Sequence, residues 1–129
     1  MVGYMDGDTI KVVRNGKEEK IRLYGIDTPE KNQAYGQAAT AAIKQILTGR
    51  DIKIKTLDHD RYGRAVAMVY ADGKNVNEIM VKGGYAWVYR KYCKNAFCND
   101  WLQHEKKAKQ SRRALWQDGN AQPPWEWRK

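Results

Sequence analysis

The sequence predicts an α+β fold in which short strands curl into a small closed or partly open barrel with helices on its periphery. Three observations carry this. The runs of alternating apolar and polar residues are short, and each is bounded by turn residues. Helix-period stretches interrupt them, giving the order β-β-α-β-β-α-β-α. Strands this short bury an apolar face most readily by wrapping around a shared core. A chain of 129 residues, 42% of them hydrophobic, suits one such core. The single domain is expected to fill residues 1–129, with 118–129 as a C-terminal extension.

The elements follow in order. "MVGYM" has the look of a strand end and is expected to give only a short first pairing. Thr9 to Val13 and Lys20 to Ile26 are alternating runs separated by Asn15-Gly16, the dipeptide that suits the two positive-φ positions of a tight hairpin. On the second run Ile21 and Leu23 face one way, and Arg22 and Tyr24 the other. "QAATAAIKQILTG" reads as a helix with Ala39, Ala42, Ile43 and Ile46 inward and Gly49 at its end. "DIKIKTL" (51–57) alternates as a half-buried strand. "RAVAMVY" (64–70) is a more apolar strand closed by Asp72-Gly73. Asn75 and Glu78 form a capping box for a short helix that stops at Gly83-Gly84. "YAWVY" (85–89) is a short strand. The last helix is expected from about Asn99 to Gln117, capped by Asn99 or Asp100, with Trp101, Ala108 and Leu115 inward. The tail "QPPWEWRK" is proline-broken and aromatic, and is expected as an ordered extension without a helix.

Charge narrows the partners. Lys and Arg number 24 against 15 Asp and Glu, a net charge of +9, which favours polyanions, nucleic acid before acidic membrane. No apolar run approaches a membrane span, and no basic segment with an apolar stretch marks a signal peptide in this chain. Cys93 and Cys98, in "CKNAFC", lack metal-site spacing and suit a local disulfide in an oxidising compartment. His59 and His104 are isolated and read as surface residues. The tryptophans of the last helix and tail (Trp101, Trp116, Trp125, Trp127) could stack bases, but packing is the commoner role. "HEKKAKQSRR" is a basic, solvated helix face.

The chemistry concentrates in acidic turns. "DGDT" places Asp6 and Asp8 around a glycine at a strand start. "GIDTPE" brings Asp27, Thr28 and Glu30 to the end of the next run, with Pro29 holding Thr28 extended. If the hairpin folds as expected, Asp8 and Asp27 lie at the same end of neighbouring strands. Oxygen ligands from Asp8, Asp27 and Thr28 suit a hard cation such as Ca²⁺. In "DHDRYGRAVA", Arg64 opens a strand and Arg61 and Tyr62 precede it. If Arg22 and Arg64 converge on Glu30 and a cation, two guanidinium forks can grip phosphate oxygens while a carboxylate takes a proton from water.

"DGDT", "RLYGIDTPE", "DRYGRAVA" and "NVNEIMVKGGYA", in this order, resemble the staphylococcal-nuclease-like (thermonuclease) family. The likeness runs from about Met5 to Tyr89 and more loosely through the last helix. It implies an OB-fold five-stranded β-barrel with three peripheral helices, and a Ca²⁺-dependent, sequence-nonspecific nuclease acting on DNA and RNA. The implied ligands are Asp8, Asp27 and the carbonyl of Thr28, with Asp6 near the metal. The implied catalytic residues are Arg22, Glu30 and Arg64, with Arg61 and Tyr62 near the bound phosphate. Water would attack phosphorus in line, assisted by Glu30, and the 5′ oxygen would leave, giving 3′-phosphate ends. "KNQAYG" is shorter than the family's mobile loop, so that loop's lysine contacts do not transfer. In "VYRKYC", a pair of nucleotide-contacting tyrosines falls on Tyr92 and Arg90, with Tyr89 adjacent. Single-stranded or locally unpaired DNA and RNA, a monomeric state, no membrane partner and a periplasmic or secreted location are the accompanying expectations. The alternative is a catalytically silent OB-fold module that binds nucleic acid or protein.

Overall fold

The computed structural model describes residues 2–129. The elements are β1 (Val2–Asp6), β2 (Thr9–Arg14), β3 (Lys17–Leu23), β4 (Ile26–Asp27), α1 (Gly36–Leu47), β5 (Ile52–His59), β6 (Ala65–Ala71), β7 (Lys74–Asn75), α2 (Val76–Lys82), β8 (Trp87–Val88), α3 (Phe97–Gln110), a 3₁₀ turn (Ala114–Gln117) and α4 (Pro124–Trp127). The main sheet runs β1-β2-β3-β6-β5, with β7 also on β6, and β4 pairs with β8 in a separate two-stranded ribbon. This is the α+β, OB-type arrangement the sequence predicts. Among the described residues no ladder joins β5 to β1, so hydrogen bonds leave the curl of the sheet open. The outer strand β5 carries exposed Lys53 and Lys55, charges that discourage pairing with another chain.

The β2–β3 hairpin turns on Asn15 and Gly16, with φ of 52° and 76°. Its register sets Ile10 against Ile21 and Thr9 against Arg22. The parallel pairing of β3 with β6 then places Arg22 beside Val66 and Ile21 beside Ala65. The alternation along β3 does what the sequence indicates: Ile21 and Leu23 are buried in the core and Arg22 faces the opposite side. Ile10, Ala67 and Val69 from the sheet meet Ile43 and Leu47 from α1, Met80 from α2 and Trp101 from α3. Asn77, fully buried, ties α2 to the sheet. Its Oδ1 accepts from Val69 N at 3.1 Å, and its Nδ2 donates to the carbonyls of Tyr24 (3.0 Å) and Ala67 (3.1 Å). Asn75 caps α2 as expected, accepting from Glu78 N at 2.9 Å.

The C-terminal third departs from expectation. The last helix begins earlier, at Phe97, with Ala96 at its cap position and no side-chain cap, so neither Asn99 nor Asp100 opens it. Cys93 and Cys98 are disulfide-bonded across this start. The helix also ends at Gln110, because Arg112 turns into the left-handed region (φ 51°) and Leu115 N donates to the Gly84 carbonyl at 3.1 Å. Tertiary docking onto the α2–β8 turn therefore breaks a pattern that runs on in sequence. The tail is not helix-free: Pro124 opens the single-turn α4, where a proline costs no hydrogen bond.

Candidate active site

The acidic turns converge as the hairpin requires. Gly7 and Asp8 make the β1–β2 turn, next to a register shift between Tyr4 and Asp6 that redirects the strand end. A Cβ at Gly7 would lie 2.7 Å from Ala39 Cβ and 2.9 Å from Thr28 Oγ1, so only glycine lets this turn press against both α1 and the Thr28 loop. Asp8 is buried. Its Oδ2 accepts from Thr28 N at 2.8 Å and its Oδ1 from Thr9 Oγ1 at 3.0 Å. Asp6 Oδ1 accepts from Asp8 N at 3.1 Å. Asp27, on β4, is only 1% exposed. Arg22 spans the two acids, 3.4 Å from Asp8 Oδ2 and 3.4 Å from Asp27 Oδ1.

Glu30 is fixed by backbone. Its carbonyl accepts from Gln33 N at 2.9 Å, and its own N–H donates to Gln33 Oε1 at 3.2 Å. A Cβ on Gly36, the first residue of α1, would run into the Glu30 carbonyl, so the helix start sits directly against the carboxylate-bearing loop. Asp8, Arg22, Asp27, Thr28 and Glu30 are thus brought together, with Asp6 at the margin.

Arg64 is held differently. Its Nε donates to Asp60 Oδ2 at 2.7 Å and its N–H to Asp60 Oδ1 at 3.0 Å. It immediately precedes β6, two residues before Val66, the partner of Arg22, and its bonds run to Asp60 and not to the acid cluster. Tyr62, 68% exposed, has the guanidinium groups of Arg61 and Arg64 over its ring at 5.1 and 5.5 Å. Tyr89 and Tyr92 pack edge to face with centroids 4.8 Å apart. They lie just after β8, the strand that pairs with the one bearing Asp27.

Arg128 belongs to the cluster and no sequence signal marked it. Its Nη2 donates to Asp27 Oδ2 at 2.6 Å and its Nη1 to Asp27 Oδ1 at 3.2 Å and Glu30 Oε1 at 2.6 Å. The nearest hint in sequence was the aromatic, proline-set tail that carries it.

The electrostatics follow from burial. Burial pushes Asp6 up to about 7, reinforced by the neighbouring Asp8 carboxylate. Burial acts on Asp8 in the same sense, but Arg22, Asp6 and the Thr28 N–H outweigh it and bring it down to about 2. Asp27 rises to about 6 through burial, which the hydrogen bonds from Arg128 only partly offset. Arg128 is raised by the same contacts, first its hydrogen bonds to Asp27.

The donor set fits a hard cation. It is all oxygen, with two buried carboxylates, and Thr28 Oγ1 is buried beside them without a hydrogen-bond partner. Among the described residues no three His, Cys, Asp or Glu side chains form a ready-made cage, so backbone oxygen and water would have to complete the coordination.

A family model described as "Staphylococcal nuclease homologue" matches residues 20–118. An uncharacterized endonuclease of Escherichia coli O157:H7 is 44% identical over 129 residues, covering 99% of this chain and 82% of the relative. A micrococcal nuclease of Shigella flexneri is 38% identical over 138 residues, covering 100% of this chain and 79% of the relative. A staphylococcal-like nuclease of Arabidopsis thaliana is 42% identical over 113 residues, covering 88% of this chain but 34% of that longer protein. The fold, the acid-and-arginine cluster and these matches together make the chain a member of the staphylococcal nuclease homologue family.

Proposed function

We propose that this chain is a Ca²⁺-dependent, sequence-nonspecific nuclease that hydrolyses phosphodiester bonds of DNA and RNA and leaves 3′-phosphate ends. The observation that carries the reading is the interlock of Asp8, Arg22 and Asp27, with Glu30 joined to Asp27 through Arg128. The names of the relatives, endonuclease and micrococcal nuclease, support it.

Asp8, Asp27 and the Thr28 carbonyl would hold the cation. When bound, the cation supplies concentrated positive charge opposite the phosphoryl oxygens. Arg22 presents a planar fork to the same pocket and stabilises charge that builds on the phosphate. Glu30, with its side chain about one-third exposed, can meet a water and take its proton as that water attacks phosphorus. Arg64 adds a second fork when its guanidinium exchanges Asp60 for phosphate. The water's proton ends on Glu30, the P–O5′ bond breaks, and the 5′ oxygen takes a proton from solvent as it leaves, with the phosphate kept on the 3′ side. The exposed rings of Tyr62 and Tyr92 offer surfaces for unpaired bases, while Tyr89, stacked under Trp125, backs Tyr92; this favours single-stranded or locally melted substrate. The disulfide suits a periplasmic or secreted location.

The test is incubation of single-stranded and duplex DNA and RNA with the protein in Ca²⁺ and in chelator, with end-group analysis of the products. Cleavage in Ca²⁺ alone, with 3′-phosphate termini, is expected. Cleavage that ignores the chelator contradicts the metal assignment. Tight binding without turnover points to a silent binding module.

A further inference from the structure

The chain carries its own cation against the acid cluster. Arg128 makes a two-pronged contact with both oxygens of Asp27 and a third bond to Glu30. Arg22 already approaches Asp27 Oδ1. Asp27 therefore meets guanidinium on both oxygens, and a divalent ion drawn to it would stand against the positive charge of Arg128. Two cations at contact distance of one carboxylate as buried as Asp27 repel each other.

The contact is built rather than incidental. Trp125 stacks on Tyr89 with centroids 5.0 Å apart and planes 14° apart, and its edge meets Trp87 at 5.7 Å. Gln33, which also positions Glu30, donates from Nε2 to the Gln122 carbonyl at 2.7 Å. Pro124 is buried, and the Pro123 carbonyl accepts from both Glu126 and Trp127. Yet the segment joins no strand, α4 is a single turn, and the Arg128 side chain is 40% exposed. It is seated by side-chain contacts and by no strand pairing.

We propose that residues 122–129 are a built-in plug of the candidate cation site: Arg128 holds the Asp27 and Glu30 carboxylates while the site is metal-free, and cation binding and tail docking exclude each other. The plug keeps two acids neutralised in the resting protein and makes cation affinity depend on how firmly the tail sits. By linkage, whatever loosens the tail tightens Ca²⁺ binding, and Ca²⁺ in turn releases the tail. This inference rests on the divalent-cation reading above.

The experiment is calorimetric titration of Ca²⁺ into the full chain and three variants, with amide hydrogen exchange of residues 126–129 followed in parallel. Arg128→Met removes the charge and keeps the stem. Trp125→Ala unseats the tail and keeps the charge. Lys129→Met is the charge control. Arg128→Met and Trp125→Ala should each bind Ca²⁺ about tenfold or more tightly than wild type, and Lys129→Met close to wild type. In the wild type, Ca²⁺ should speed exchange of the α4 amides. Equal affinity in wild type, Arg128→Met and Trp125→Ala, or slower tail exchange on adding Ca²⁺, overturns the plug and leaves the cation reading standing. Absence of Ca²⁺ binding in every variant overturns both.

Discussion

Asp60 shows how a residue outside the acid cluster holds an arginine that the proposed mechanism uses. Its carboxylate accepts from the Arg64 N–H, the Arg64 guanidinium and the Tyr62 N–H. Partial burial opposes its ionisation, but these bonds win and hold it below the usual carboxylate range. A depressed carboxylate gives its full stabilisation above its unfolded value and loses it as pH falls through the folded one. Asp60→Asn should therefore cost about 1 kcal/mol at pH 7, a figure kept small by solvent access, and the gap to wild type should close as the pH falls below the ordinary aspartate range. Thermal melts across pH check this, and a gap that widens in acid would contradict it. At this scale much of the site was legible in the sequence. Strand alternation put Arg22 opposite Ile21 and Leu23, and the two acidic turns had to share one end of the hairpin. Arg128 was not legible, because its partner Asp27 lies far away in sequence and no local period connects them.

At the scale of elements, Asn77 and Gly36 set where the helices sit. Asn77→Ala would take the acceptor from the Val69 N–H and a donor from the Tyr24 and Ala67 carbonyls, of which Ala67 keeps the Tyr24 N–H, and would open a small cavity. It should destabilise the fold by about 2–4 kcal/mol in denaturant titration, whereas an effect below about 0.5 kcal/mol would mean that water or repacking satisfies those groups. The Asn75 cap, the Asn15-Gly16 turn and the order of strands and helices along the chain were legible because each is a local signal. The end of α3 was not. Its apolar spacing continues through Leu115 and Trp116, both of which are buried as the pattern suggests. The chain reaches those sites only by breaking at residues 111–113, where Leu115 docks against Gly84. The start of α3 was misplaced for a related reason: the disulfide between Cys93 and Cys98 sits where a capping side chain was expected.

At the scale of the whole molecule, a net charge of +9 coexists with a cluster of buried carboxylates. A basic surface favours a phosphate backbone, and in the proposed function the acids would serve a cation within that field. Substrate binding should fall steeply between low and physiological salt, with a linear log–log slope, as counterion release requires. A flat response would place the contact on bases alone. Four elements supply the candidate site: the β1–β2 turn gives Asp8, β3 gives Arg22, β4 and the loop after it give Asp27 and Glu30, and the tail closes over them. The central claim is that these groups act as one unit, and a double-mutant cycle on kcat with Arg22→Lys and Glu30→Gln tests it most directly. Each single change should lower kcat by about a hundredfold or more, and the double variant should lose far less than the product of the two. Strictly multiplicative losses, or near-wild-type turnover in either single variant, would contradict a shared site.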